Sequence, residues 1–220
     1  MSILNGRFSN PGDWFFNTLL IIPGVFIGLA FHEFAHAGVA SLLGDSTPKL
    51  QGRVTINPFA HIDPVGLIAL VFIGFGWGKA VQINPENFSH TRRDSFFVSI
   101  AGIVMNFILA FIFTGLLKVL RDQLFLTSDM GNIAFTIVWN VILINLVLMV
   151  FNLLPVPPLD GFNIVTEIFD LRHKKIWYRI YDLGFPILMA LIIFGVTGRI
   201  LEPAVNTIFN FIYWVWFSVL

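Results

Sequence analysis

The sequence predicts an all-α membrane protein, a polytopic helical bundle of about five or six membrane segments, with a small β element at the membrane surface. The first observation is composition: 56% of the 220 residues are hydrophobic and 12% are charged, whereas soluble domains carry about 25% charged residues. The mean hydropathy is +0.82. The other observations are a series of long apolar stretches and the shortness of the loops between them. We therefore expect residues 1–220 to form one membrane domain, with a core over about 14–170 and additional C-terminal membrane helices over 176–220.

Charge and cysteine content restrict the function classes. The 13 basic and 13 acidic residues give a formal net charge of zero, and the sequence shows no basic face of the kind that binds nucleic acid. There is no cysteine, so disulfides and thiolate metal sites are excluded and any metal ion must be held by His, Asp or Glu. The first apolar run has no basic region before it and no clear cleavage site, so we expect it to be retained as a membrane helix.

Five apolar stretches are long enough to cross the roughly 30 Å hydrocarbon core of a bilayer as helices. They are Trp14–Leu43, Ser95–Leu120, Ile133–Leu154, Ile176–Val196 and Pro203–Leu220. A sixth stretch, Val65–Trp77, is shorter and contains three glycines. Its length favours a re-entrant or interfacial element over a crossing.

Two pieces on either side of the short stretch have the composition of strands. Gly52–Pro58 is rich in β-branched residues and bounded by Gly and Pro, and Lys79–Pro85 also closes on Asn-Pro. Such pieces are typical of short strands with turns at their ends. We expect them to pair as a small sheet at the membrane surface.

The distribution of Lys and Arg bears on whether Val65–Trp77 crosses. If it does not cross, nine basic residues lie on one side and four on the other; if it crosses, the division is eight against five. The re-entrant arrangement has the stronger bias, and the positive side is expected to be cytoplasmic. We therefore expect five crossings, with the N-terminus outside and the C-terminus in the cytosol.

The first apolar stretch contains the motif H-E-x-x-H, formed by His32, Glu33 and His36. On a helix the two histidines lie one turn apart on one face, so both imidazoles can bind one ion, and Glu33 lies beside them to take a proton from water. Polar residues near a helix end can instead cap it or form a proton relay. Ionisable side chains inside a membrane segment are costly and rare, which favours the metal site. Their place in the stretch puts the site inside the membrane, nearer its cytoplasmic face.

A catalytic zinc ion takes three protein ligands and a water molecule, so a third ligand is needed. The best candidate is Asp160, which follows three prolines that break the helix begun at Ile133. Irregular backbone at membrane depth is tolerated where it lines protein or a wet cavity. Asp160 could instead cap a short helix over Phe162–Leu171. The other acidic residues are weaker candidates: Glu86, Asp122, Asp129, Glu167 and Glu202.

These motifs resemble the site-2 proteases, which are intramembrane zinc metalloproteases with H-E-x-x-H on one helix and N-x-x-P-x-x-x-L-D-G on a later one. The matching residues are His32, Glu33, His36, Asn152, Pro155, Leu159, Asp160 and Gly161. Gly52–Asp63, Phe75–Lys79, Asn84-Pro85 and Ala101-Gly102 with Asn106 also resemble the compact bacterial branch of the family. The resemblance covers about residues 28–165. One departure is Ile103, where the family usually has proline.

The resemblance implies one zinc ion held by His32, His36 and Asp160, with Glu33 as catalytic acid and base. It implies that Asn152 positions the substrate or stabilises the oxyanion, although a buried amide can also serve helix packing. Helix packing is the expected role of Asn106, and a structural turn that of His61 and Asp63. Arg92 and Arg93 are expected to be cytosolic anchors.

The expected partners are the lipid bilayer, single-pass membrane-protein substrates and regulatory membrane proteins, with no nucleic acid. The expected location is the cell membrane of a bacterium or archaeon. There the enzyme would hydrolyse peptide bonds within or near transmembrane segments in regulated intramembrane proteolysis. A helical substrate must unwind locally before cleavage, and an edge at Gly52–Pro58 could hold the unwound piece by β-addition.

Three other functions fit parts of the sequence. A transporter or proton channel could use the His, Glu and Asp side chains as a relay, but the inverted repeat common in such folds is not visible. A membrane zinc protease of another family would typically take Glu as its third ligand. A scaffold with a relic site would not be expected to keep the complete set.

Overall fold

The computed structural model describes residues 11–73, 76–123 and 129–219. In this part of the chain the regular secondary structure is helical, and β pairing is limited to one isolated bridge. The helices are α1 (Pro11–Leu42), α2 (Thr47–Leu50), α3 (Pro64–Ile73), α4 (Thr91–Gln123), α5 (Asp129–Asn152), α6 (Asp160–Phe169), α7 (Lys175–Asp182), α8 (Gly184–Ile193) and α9 (Val196–Trp214). Short 3₁₀ turns at Pro58–Ala60 and Pro85–Asn87 connect them.

Three helices in the described residues are long and apolar enough to cross a membrane. They are Phe15–Leu42 in α1, Thr91–Arg121 in α4 and Met130–Asn152 in α5, with mean hydropathies of 1.8, 2.5 and 2.5. Helices α7 and α8 form a fourth candidate if the pair, bent by 52°, is one span. Three or four candidate spans are fewer than the five or six expected. The difference lies partly in α9, which includes Arg199 and Glu202 before Pro203 and two asparagines after it.

The centre of the bundle is formed by α1, α4 and α5. Ile142 and Leu146 of α5 pack with Ala110 and Leu117 of α4 in a buried cluster that α9 covers with Val205 and Ile212. Where α1 meets α5, Asn140 donates a hydrogen bond from its side chain to the backbone oxygen of Leu20 at 3.0 Å. Because many side chains of these helices face outward and are apolar, the bundle has the surface of a protein that lies in lipid.

The short apolar stretch forms α3, and the chain that follows this stretch lies beside the chain that precedes it. Ile62 and Gly78, which flank it, pair as an isolated antiparallel bridge, and the amide of Lys79 donates to the His61 oxygen at 2.7 Å. The two ends of the segment therefore lie side by side, which favours a re-entrant element over a crossing. Residues 74 and 75 lie outside the described part.

The loops before and after α3 also bind one another. Asp45 accepts hydrogen bonds from the backbone amide of Asn84 at 2.8 Å and the side chain of Asn87 at 2.7 Å. Gln51 donates to Gln82 at 2.9 Å. Burial acts to raise the pKa of Asp45, but its hydrogen bonds outweigh burial and lower that pKa. These contacts place both loops on the same side of the bundle.

The structure does not confirm the small sheet expected from Gly52–Pro58 and Lys79–Pro85. The first piece folds on itself: the amide of Thr55 bonds to the Arg53 oxygen, and the amide of Asn57 bonds to the Thr55 side chain. The Nε2 of His61 donates a hydrogen bond to the backbone oxygen of Thr55 at 2.8 Å. These backbone groups are engaged locally, so they cannot form a ladder with the second piece. Among the described residues only the Ile62–Gly78 bridge is formed.

Single cysteines introduced into this cysteine-free chain test the return of the α3 segment. We expect Lys49→Cys and Ser89→Cys to react alike with a membrane-impermeant thiol reagent in intact cells, because their loops are joined. Met130→Cys, at the start of α5, lies on the other side of the candidate span α4, so it should react oppositely and serves as the control. Opposite reactivities at positions 49 and 89 would show that the segment crosses.

Candidate active site

His32 and His36 face one another on adjacent turns of α1. Their Nε2 atoms are 3.0 Å apart, and both side chains are buried. Helical periodicity alone brings them together, because residues four apart lie on one face. The expected pairing of the two histidines is therefore present in the fold.

Asp160 reaches the histidines because α5 ends beside them. After Asn152 the chain turns through Leu153–Leu159, and Asp160 opens α6. A Cβ atom at Gly161 would lie 2.3 Å from the oxygen of Leu153, so only glycine allows this turn to pack so tightly. The Oδ2 atom of Asp160 lies 3.2 Å from both histidine Nε2 atoms.

The hydrogen bonds around the histidines show which atoms face the centre of the group. The Nδ1 of His32 lies 2.6 Å from the side-chain oxygen of Asn106, and the Nδ1 of His36 lies 2.7 Å from the backbone oxygen of Val98. Both partners are acceptors, so each Nδ1 carries the proton and each Nε2 presents a lone pair.

Three acceptor atoms therefore converge on one point. The buried Oδ2 of Asp160 receives no hydrogen bond from the protein, although two imidazole nitrogens lie beside it. Lone pairs turned towards one another repel unless a cation lies between them. Atoms of His32, His36 and Asp160 lie within 4.8 Å of one another, and two imidazoles with a carboxylate are a donor set that suits zinc. The residues present fit the ion.

Gly102 of α4 forms the back of this group. A Cβ atom there would lie 2.5 Å from the Nε2 of His36 and 2.6 Å from the Nδ1 of His32. The absence of a side chain at Gly102 is thus what allows α4 to approach α1 at the histidines. The sequence contained this residue in Ala101-Gly102, but nothing local to that pair indicated its contact.

Glu33 lies beside the histidines at the wall of the cavity. Its Oε2 accepts a hydrogen bond at 2.8 Å from the backbone amide of Val81, in the segment that follows α3. One carboxylate oxygen is thus held by the backbone while the residue still lines the cavity. The amide of Val81 was not predicted as part of the site, since no sequence pattern marks a backbone donor.

The cavity at the site has a volume of about 390 Å³ and is lined by all five predicted site residues: His32, Glu33, His36, Asn152 and Asp160. Asn152 donates a hydrogen bond from its side chain to the oxygen of Leu148 at 3.0 Å. Its position at the end of α5 lets the same amide face the cavity. A second, apolar cavity of about 350 Å³ adjoins it and shares Leu29, Trp77, Leu148 and Phe151.

The other polar residues singled out in the sequence lie elsewhere. His61 bonds to the Thr55 oxygen, and Asp63 accepts from the amides of Val65 and Gly66 at the start of α3, in agreement with a structural turn. Glu86 and Glu202 do not line the cavity, and the side chains of Asp122 and Asp129 lie outside the described part.

Glu167 and Arg92 also have structural partners. Glu167 pairs with Arg172; burial raises the pKa of Glu167 and the pairing only partly offsets this. Arg92 donates to the last backbone oxygens of α6, those of Glu167 and Ile168. Arg93 pairs with Asp94 at 2.9 Å.

The bundle of apolar helices and the buried group of two histidines and an aspartate define a membrane metalloprotein with a hydrolytic site. The model of peptidase family M50, the site-2 protease family, matches residues 20–195. The chain belongs to this family, as the motifs indicated, and it is a zinc metalloprotease.

Curated relatives carry the same description. The chain is 37% identical over 189 residues to "Putative zinc metalloprotease YwhC" of Bacillus subtilis, an alignment that covers 84% of this chain and 85% of the relative. It is 30% identical over 208 residues to "Putative zinc metalloprotease Rip2" of Mycolicibacterium smegmatis, covering 89% of this chain and 72% of the relative. The Rip2 of Mycobacterium tuberculosis is 28% identical over 206 residues, covering 90% and 73%. No solved structure matches the chain significantly.

Substitution of Gly102 tests the packing of α4 against the histidines. We expect Gly102→Ala to weaken zinc affinity by about tenfold or more, because the added methyl group displaces both imidazoles. Helix stability is not the cause, since alanine is the better helix former by about 1 kcal/mol. Gly38→Ala, where the added atom meets nothing within 4 Å, is the matched control. Zinc affinity is measured by chelator competition, and equal affinities of Gly102→Ala and the wild type would contradict the expectation.

Proposed function

We propose that this protein hydrolyses peptide bonds within or near transmembrane segments of membrane-protein substrates, in regulated intramembrane proteolysis. The observation that carries the proposal is the buried convergence of His32, His36 and Asp160, with Glu33 beside them in the same cavity. His32, Glu33 and His36 lie on α1, which is itself a candidate membrane span. Hydrolytic chemistry placed within a spanning helix suits a substrate whose scissile bond is also in the membrane.

The zinc ligands are His32, His36 and Asp160. Each histidine presents Nε2 while its Nδ1 is bound to a protein acceptor, and such outer bonds fix the ring and raise its basicity. A zinc ion held by these three residues would lower the pKa of a water molecule to about 7 and polarise the substrate carbonyl. Three protein ligands leave a position open for that chemistry, as in other catalytic zinc sites.

Glu33 serves as the general base and then the general acid. Its Oε2 is held by the amide of Val81, so its second oxygen can accept a proton from the attacking water. The same carboxylic acid then protonates the leaving amide nitrogen. Proton transfer by a positioned side chain contributes about 10²–10⁴-fold to the rate.

Asn152 acts on the substrate rather than on the ligands. It lines the cavity with Asp160 but bonds to its own helix at the Leu148 oxygen, and none of its hydrogen bonds involves a proposed zinc ligand. From there its amide can donate to the developing oxyanion or to a substrate carbonyl. Its helix bond holds the side chain ready for that contact.

The unwound substrate is held by the chain after α3 rather than by Gly52–Pro58. Gly78, Ala80, Val81 and Ile83 line the cavity beside Glu33, and among the described residues no ladder forms along this segment beyond the bridge at Gly78. The amides of Lys79 and Val81 are already bound, so a peptide strand would add through the remaining backbone groups of the segment. The amide that binds Glu33 belongs to this segment, so the same segment would hold both the substrate and the general base.

The substrates proposed are single-pass membrane proteins, and regulation would come from partner membrane proteins or from the supply of substrate. The site lies nearer the cytoplasmic face of the cell membrane of a bacterium or archaeon. The excess of basic residues on the side of the joined loops supports this orientation. The N-terminus is then outside.

Zinc analysis of purified variants tests the ligand set. We expect about one zinc per chain in the wild type and a large loss in His32→Ala, His36→Ala and Asp160→Ala, because each removes one donor. The exposed residues His173 and Asp182 provide matched controls as His173→Ala and Asp182→Ala. Undiminished zinc in the Asp160 variant would remove that residue from the set, and a wild type without zinc would favour the proton relay.

Glu33→Gln separates metal binding from proton transfer. The amide keeps the size of the side chain but cannot carry the proton, so we expect full zinc content with cleavage lowered by about 10²–10⁴-fold. Substrates are first identified by crosslinking to this variant in native membranes. Their cleavage by the wild type and by the variant is then compared. The exposed Glu86 gives the control Glu86→Gln. Turnover near the wild-type rate would contradict the role of Glu33, and capture of only soluble proteins would contradict the proposed substrate class.

A further inference from the structure

Two asparagines lie fully buried in apolar helices next to the candidate zinc site. Asn106 of α4 and Asn145 of α5 each have 0% of their surface exposed. Burying an amide costs free energy unless its donors and acceptor are bound. The hydrogen bonds of this pair therefore decide how the two side chains are oriented.

Asn145 is oriented by its own helix. Its Nδ2 donates to the backbone oxygen of Val141 at 2.8 Å, and a carbonyl oxygen can only accept. The amide nitrogen must therefore point to Val141, which turns the Oδ1 of Asn145 towards Asn106. That Oδ1 accepts from the Nδ2 of Asn106 at 2.8 Å.

Asn106 is oriented by two acceptors at once. Its Nδ2 donates both to Asn145 and to the backbone oxygen of Gly28 at 3.2 Å. Its Oδ1 is left to face the Nδ1 of His32 at 2.6 Å. A reversed amide would place an oxygen against two acceptors, so the direction of the whole chain is fixed by backbone carbonyls at Val141 and Gly28.

We propose that Asn106 is a positioning residue that sets the tautomer and the ring orientation of His32, and that Asn145 acts through it by fixing the Asn106 amide. The Oδ1 of Asn106 requires a proton on Nδ1 of His32, which leaves the Nε2 lone pair for the metal. This inference rests on the proposed role of His32 as a zinc ligand. It replaces the expectation that Asn106 serves helix packing alone.

The two histidines are held by different means. The Nδ1 of His36 meets a backbone oxygen, that of Val98, so no side-chain substitution removes its partner. The Nδ1 of His32 meets a side chain that depends on another side chain. Zinc binding is thus sensitive to substitutions at Asn106 and Asn145, although neither touches the ion.

Asn140 supplies a matched control for simple packing. It lies on α5, as Asn145 does, and its Nδ2, like that of Asn106, donates to a backbone oxygen of α1, here that of Leu20. That bond has no connection to a histidine. Asn140→Leu therefore removes an interhelical amide bond of the same kind without affecting the chain that ends at His32.

The experiment compares Asn106→Leu, Asn145→Leu and Asn140→Leu with the wild type, each in the full chain. Zinc affinity is measured by chelator competition, and the cobalt-substituted proteins are compared by visible absorption. We expect zinc to bind about 10–100-fold more weakly in Asn106→Leu, with an altered cobalt spectrum. The loss in Asn145→Leu should be smaller, because Gly28 still holds Asn106. Asn140→Leu should keep wild-type affinity and spectrum.

Several outcomes would overturn the inference. Equal losses in the Asn106 and Asn140 variants would show that packing alone matters, and no loss in either would show that the His32 contact is dispensable. If Asn106→Leu does not fold, the inference is tested by the ¹⁵N spectrum of zinc-loaded wild type labelled at histidine. Metal bound through Nδ1 of His32 overturns the inference. Metal bound through Nε2, with a slowly exchanging proton on Nδ1, supports it. A wild type without zinc would instead refute the ligand set of the proposed function.

Discussion

The buried group formed by His32, His36 and Asp160 imposes a constraint that the surrounding structure satisfies. When both histidine rings are neutral, its three inward atoms are all acceptors, and the proposed zinc ion would relieve their repulsion. Polar atoms that face packed helices inside a membrane have no water to bind. The ring nitrogens that point away from the cavity therefore need partners within the protein, and the contacts of both Nδ1 atoms meet this need.

This constraint accounts for where the helices approach closely and where one of them stops. Helix α4 comes against the histidines at Gly102, where a methyl group would collide with both rings. Helix α5 ends at Asn152, and the tight turn at Gly161 brings the first residue of α6 to the ligand position. An uninterrupted α5 would carry the chain past the site. The break in the helix is thus what brings Asp160, the proposed third ligand, beside the histidines.

The re-entrant segment links topology to chemistry. Because Ile62 and Gly78 pair and the flanking loops are joined through Asp45, the chain after α3 is held against α1. There Val81 binds Glu33. The short length of α3 and the hydrogen bond between Val81 and Glu33 both favour an arrangement in which the segment does not cross the membrane.

The sequence by itself determined the class of fold, the family and the proposed ligands. Apolar length marks the helices α1, α4 and α5, since spanning a bilayer is a local property of about 20 residues. The spacing of His32 and His36 fixes their shared face for the same reason. Asp160 was found through a motif that spans the helix break, which is also a local signal. The re-entrant course of the short segment was predicted from its length and from the counts of basic residues, and the pairing of Ile62 with Gly78 favours it.

Only the tertiary structure decided how distant pieces of chain meet. The strand-like composition of Gly52–Pro58 did not produce a sheet, because local turns and His61 use its backbone groups. The contact of Val81 with Glu33 and the direction of the Asn145–Asn106–His32 chain depend on how α1, α4, α5 and the re-entrant segment pack together. Sequence could mark both asparagines as polar residues in apolar helices. Which atoms they bind is set by interhelical packing, because hydrogen bonds between residues far apart in sequence leave no periodic trace in it.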